Sequence, residues 1–143
     1  GQVWDAFELL VSLVRRAKES IVLIDGYTDA GTLNILAKKN DGVSVTLWTH
    51  PKAKLTAKDI ETLNAQYPEL TVGHTESFHD RFIILDGTET YLVGASLKDA
   101  GKKAFGITRI EDSETVQTIL VRLDPGEENA DVKEGTEGQA AEG

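Results

Sequence analysis

The sequence predicts an α/β fold with a mixed central sheet flanked by helices. Two observations carry that class. Along the first half of the chain, segments with apolar residues at helical spacing alternate with short apolar runs of strand length. Further on, two apolar runs are joined by Asp86-Gly87-Thr88-Glu89, a hairpin turn sequence that requires an antiparallel pair. A length of 143 residues with 40% apolar side chains is ordinary for one α/β domain with a real core.

The elements follow in order. Val3, Trp4, Phe7, Leu10, Val11 and Val14 recur every three or four positions and predict an amphipathic helix from Val3 to Glu19. Ser20 to Asp25 is a short, nearly continuous apolar strand. Thr28 is the expected cap of a second helix carrying Leu33, Ile35 and Leu36, which stops near the turn Asn40-Asp41-Gly42. Val43 to Thr49 reads as a strand. Thr56 opens a third helix through Ala65, with Asp59 placed as in a capping box and Pro68 marking its end. Leu70 to Val72 is a short strand, and Arg81 to Leu85 pairs with Thr90 to Val93 across the turn. A strand from Ala104 to Ile110 and a helix from Ser113 to Leu123 complete the sheet and its cover. No internal repeat is present.

Charge divides along the chain. Its net value is −9, yet six acids against Lys133 alone fall between Pro125 and Gly143. That Gly- and Ala-rich stretch has too little apolar surface to offset the entropy of ordering, so it reads as a disordered acidic tail behind a domain of residues 1–124. Taking the tail's −5 away leaves −4 on the domain, with Arg81, Lys98, Lys102, Lys103 and Arg109 grouped in sequence. A local anion site fits this pattern better than strong duplex binding, which rests on neutralising many phosphates.

No apolar run approaches the roughly 20 residues of a membrane span, and no leader-like segment precedes the first helix, so a cytoplasmic location without membrane contact is expected. The absence of cysteine excludes disulfides and thiolate metal sites. His50 and His74 have no suitably spaced carboxylate or histidine, so neither a metal nor another cofactor is expected. The chain begins at Gly1 and contains no methionine, which reads as a piece of something longer.

Chemistry concentrates in His79-Asp80-Arg81-Phe82-Ile83-Ile84-Leu85-Asp86 and the following Gly94-Ala95-Ser96. If the strand includes its head, the period of two puts His79 and Arg81 on one face and Asp80 on the other. An imidazole can act as nucleophile or proton carrier, and a guanidinium can hold the oxygens of the group under attack. Pairing across the turn would bring the head of the first strand beside Gly94-Ala95-Ser96. Each residue also has a structural reading. Arg81 could pair with Asp25 or Asp86, and Asp86 could bond its own turn backbone. Gly94 and Ser96 could serve only a tight loop, and Lys98 could be a solvated charge.

The motif resembles the signature of the phospholipase D superfamily, His-x-Lys, four residues, Asp, then Gly-Ser-x-Asn. Here it reads His79-x-Arg81, four residues, Asp86, then seven residues to Gly94-Ala95-Ser96-Leu97. More narrowly, Phe78 to Arg109 is similar to the C-terminal domain of bacterial and phage proteins whose N-terminal domain is assigned to DNA binding, and Ile21 to Tyr27 to that domain's opening strand. The resemblance spans roughly Gly1 to Leu123. It implies a half domain with a single motif and metal-independent phosphodiester cleavage of nuclease type through a phosphohistidine. His79 and Arg81 would then be catalytic, Arg81, Ser96 and Lys98 would bind phosphate, and Asp86, Asp25 and Gly94 would support them.

Two histidines are needed and one motif supplies one, so the resemblance implies a homodimer acting on nucleic acid or another phosphodiester. Leu97 stands where the family has asparagine, and no acid lies between Lys102 and Ile110 to orient His79, so Asp25, Asp99 or Glu111 would have to replace it. The alternative is a catalytically inactive domain for dimerisation or nucleic-acid binding in a phage-type regulatory protein. Lipid phosphodiester hydrolysis ranks last, for want of an amphipathic membrane-binding element.

Overall fold

The structure, a computed structural model, describes residues 6–97 and 106–123. Four helices and six strands follow one another as α1 (Ala6–Arg16), β1 (Ser20–Ile24), α2 (Ala30–Leu36), β2 (Ser44–Thr49), α3 (Ala57–Gln66), β3 (Leu70–His74), β4 (Arg81–Leu85), β5 (Glu89–Val93), β6 (Ile107–Ile110) and α4 (Ser113–Leu123). The strands form one mixed sheet in the order β3-β2-β1-β4-β5-β6. The first three run parallel, and β4, β5 and β6 are antiparallel to their neighbours. The α/β class and the mixed sheet are therefore as the sequence predicts. Residues up to Ile110 form one compact unit, and α4 lies in a second that begins at Glu111.

Alternation along the strands builds the core. Ile21 and Leu23 of β1, Val45 and Leu47 of β2, and Ile83 and Leu85 of β4 join Leu10, Leu13 and Val14 of α1 and Leu33, Ile35 and Leu36 of α2 in one apolar cluster. On α1, Leu13 takes an inner position while Phe7 stays exposed, so the buried stripe is rotated from the predicted one. On the other strand face, Trp48 lies across Gly73 in the paired β3 position. A Cβ there would sit 2.6 Å from the indole ring, so the close approach requires glycine.

The cap of α2 differs from expectation. Asp29, not Thr28, is the cap, its carboxylate accepting from the Gly31 and Thr32 amides while its own N–H donates to Thr32 Oγ1. Thr28 is buried instead, its hydroxyl 2.7 Å from that of Thr49. Both residue types cap well, and a tertiary contact decides between them. On α3 the box Thr56–Asp59 forms as predicted. β3 runs two residues beyond the predicted end, to His74, because it pairs in register with β2 up to Thr49. The predicted start of the last strand at Ala104, the start of the first helix at Val3, and the acidic tail lie outside the described residues.

The hairpin is the element that places the site. Asp86 (φ 54°) and Gly87 (φ 74°) both adopt the left-handed conformation, and Thr88 N–H bonds Leu85 O at 3.1 Å. This is the Asp-Gly signature of a type I′ turn. Its register sets Arg81 opposite Val93, so the chain before β4 and the Gly94 loop finish at the same end of the sheet.

Candidate active site

Four loops converge at that end. The parallel strands β1, β2 and β3 finish there, and the antiparallel β4 begins there beside the last residues of β1. Strand ends of this kind are where open α/β sheets place ligands. A cleft of about 830 Å³ opens among them, lined by Gly26 to Asp29 after β1, His50 and Lys52 to Lys54 after β2, and Glu76, Phe78, His79 and Arg81 around the head of β4.

His79 and Arg81 both line this cleft. His79 occupies a bend before β4 rather than the strand itself, so strand alternation does not govern its direction. Phe78 anchors that bend by packing edge-on to Phe82, ring centroids 6.3 Å apart. His79 is solvent-exposed, and among the described residues no hydrogen bond or ion pair holds its ring. Arg81 is half-buried and donates from Nε to Val93 O (3.3 Å) and from Nη2 to Gly94 O (3.2 Å), which fixes the guanidinium at the mouth of the hairpin. Gly94 N–H in turn bonds Gly106 O at 2.8 Å.

Beneath them lies a buried aspartate. Asp25 has no exposed surface, and its carboxylate accepts from Ser96 Oγ (2.9 Å to each oxygen), Leu97 N (2.8 Å) and Tyr27 N (3.0 Å). Removal from water pushes its pKa up, and the Tyr27 and Leu97 amides, the Ser96 hydroxyl and the Arg81 charge offset only part of this. Asp25 thus ties the loop after β1 to the loop after β5, two segments 71 residues apart in sequence. The buried Ser96 hydroxyl, expected to donate to phosphate, donates to Asp25. Asp25 makes no bond to His79.

Asp86 stands at the other end of β4, away from the cleft. Instead of bonding its own turn it accepts from the amides of Lys18, Glu19 and Ser20, at 2.7 Å for the shortest. Those amides hold its pKa below the usual range. Lys98 and Asp99 lie outside the described residues, as do Lys102 and Lys103.

The expectation that His50 lacks a carboxylate partner does not hold. Parallel pairing sets Thr49 beside His74 and Thr75 N–H bonds Thr49 O at 2.9 Å, so the residues just beyond meet. His50 Nε2 comes to 3.6 Å from Glu76 Oε1. The spacing of the two residues in sequence carries no sign of this, since it depends on a crossover through α3. Lys52 and Lys54 enter the cleft from the same turn and were also not singled out by motif. Among the described residues no cluster of three His, Cys, Asp or Glu side chains could hold a metal, and no helix is long and apolar enough to cross a membrane.

No protein-family model and no curated protein matches the sequence. Solved structures do. The chain superimposes on NucT from Helicobacter pylori with a TM-score of 0.61 at 18% identity, over 82% of this chain and 84% of that one. It superimposes on Nuc from Salmonella typhimurium, a phospholipase D family member, with a TM-score of 0.60 at 19% identity, over 80% and 82%. The archaeal chromatin protein TrmBL2, whose structure shows a mode of DNA binding, gives 0.51 at 14% identity, over 85% of this chain and 50% of that one. With the six-stranded order and the converging loops, these likenesses show that the chain has the phospholipase D fold.

Proposed function

We propose that this chain is a metal-independent phosphodiesterase of nuclease type, acting as a homodimer through a phosphohistidine. The observation that carries the reading is that His79 and Arg81 line one cleft at the ligand-binding end of a phospholipase D fold. An exposed imidazole can reach a phosphorus atom, and a guanidinium fixed by two carbonyls is pre-organised to hold non-bridging oxygens where charge accumulates. The Asp25–Ser96 network acts at one remove, holding the Gly94 loop against which Arg81 rests.

His79 attacks phosphorus through a ring nitrogen, the bond to the leaving oxygen breaks, and that oxygen takes a proton from the imidazolium of His79 in a second copy. A water then gives a proton to that imidazole as its oxygen attacks phosphorus, and the P–N bond breaks. Turnover of single-stranded DNA and of bis(p-nitrophenyl) phosphate in EDTA tests the reading. We expect activity from a dimer, lost by roughly 10³-fold or more in His79→Ala. A strictly monomeric active protein, or activity indifferent to His79, would overturn it.

A second reading is favoured by one observation: among the described residues no carboxylate orients the His79 ring. A site lacking that group could bind phosphate without cutting it, as a nucleic-acid-binding or dimerisation domain. Retained DNA binding without turnover, in a confirmed dimer, would select this reading.

A further inference from the structure

We infer that the turn after β2, His50-Pro51-Lys52-Ala53-Lys54, is a second phosphate subsite, so that the cleft takes a single-stranded polynucleotide with one phosphate at His79 and Arg81 and a neighbouring one at the turn. This rests on the phosphodiester reading of His79 and adds to it the length and class of the ligand.

The turn is rigid. Ala53 N–H bonds His50 O at 2.9 Å, Lys52 N–H bonds His50 Nδ1 at 3.0 Å, and Pro51 fixes the backbone between them. Because Nδ1 accepts a hydrogen bond, the neutral ring carries its proton on Nε2, which makes His50 a donor suited to a non-bridging phosphate oxygen. Gly26 lies beside the base of this side chain, where an added Cβ would be 3.8 Å from His50 Cβ, so the loop after β1 packs against the turn.

Charge supports the same assignment. Lys52 and Lys54 are exposed, both line the cleft, and neither forms an ion pair among the described residues. Of the two carboxylates lining the cleft, Asp29 is occupied with the cap of α2. The other, Glu76, is 74% exposed, pairs with His50 Nε2 at 3.6 Å, and can swing out when a phosphate competes for that donor. A cleft of about 830 Å³ also falls in the range of sites that enclose a drug-sized ligand, well beyond one phosphate group. A chain with a net charge of −9 that faces three unpaired or carbonyl-bound cations into one cleft suits a single strand, which asks for few phosphate contacts.

The test compares binding of a phosphorothioate thymidine tetranucleotide and dinucleotide to the full chain in EDTA, over a salt series. The tetranucleotide should bind more tightly. In Lys52→Ala/Lys54→Ala its affinity should fall roughly tenfold or more at low salt. The log–log salt slope should become shallower by about 1.4, the value for two lost single-strand contacts. The dinucleotide should shift less than about threefold, since only screened long-range charge is lost. Glu76→Gln should tighten the tetranucleotide alone. Equal losses for both ligands, or none, would overturn the subsite while leaving the His79 site standing. Tetranucleotide binding that depends on the lysines, together with no turnover of the all-phosphodiester tetranucleotide by the same dimer, would uphold the subsite and refute the catalytic reading. Absence of binding by either ligand would refute both.

Discussion

The two ends of the β1–β4 pair each carry an aspartate that gathers backbone amides, and they behave in opposite ways. Asp86, exposed, accepts from Lys18, Glu19 and Ser20 at the start of β1 and titrates below the usual range. Asp25, fully buried just past the end of β1, accepts from Tyr27, Leu97 and Ser96 and titrates above it. Nearly the same hydrogen-bond pattern thus gives opposite shifts, because the cost of leaving water outweighs the hydrogen bonds at the buried end, whereas the Glu19 and Ser20 amides outweigh it at Asp86. One end holds the fold together where water helps to solvate the charge. The other ties the loops after β1 and β5 together beside the cleft, with its carboxylate held out of water.

The largest expected effect of breaking this contrast is at the buried end. Asp25→Ala strands the Tyr27 and Leu97 amides and the Ser96 hydroxyl, and should destabilise by roughly 2–4 kcal/mol in urea unfolding. Any turnover should fall with it, because the Gly94 loop that positions Arg81 loses its tie. Asp86→Ala should lower Tm by less while leaving activity per folded molecule unchanged, since Asp86 is at the far end of β4 from the cleft. Equal loss of activity in both variants would erase the distinction between the two ends.

The smallest effect is in the pH profile, where the two signs separate. Asp86 binds its proton less readily folded than unfolded, so its contribution is present above the ordinary aspartate value of about 3.9 and is lost as pH falls through its lowered value. Asp25 binds its proton more readily when folded, so its contribution is fully present below about 3.9 and is lost as pH rises through its raised value. Urea midpoints between pH 3 and 7 should fall more gently toward acid in Asp86→Asn than in the wild type. In Asp25→Asn the loss on the rising side should shrink. An unchanged profile in Asp25→Asn would contradict the raised pKa.

What the sequence made legible follows from the range of each interaction. The hairpin, the Thr56–Asp59 box and the succession of helices and strands along the chain depend on residues a few positions apart, and all are seen among the described residues. Thr28 and Asp29 are equally good caps by type, and only the buried contact with Thr49 assigns them. His50 and Glu76 meet through the parallel register of β2 and β3, which no local spacing reveals. The tie from Asp25 to Ser96 spans 71 residues and redirects a hydroxyl that the motif alone would offer to phosphate.

The most direct test of the account is mass spectrometry of the full chain, acid-labile adducts preserved, quenched during incubation with single-stranded DNA in EDTA. The account predicts a nucleotidyl phosphate attached to the peptide containing His79, absent from His79→Ala. Turnover with His79 unmodified, or no turnover and no adduct from a confirmed dimer, would contradict it.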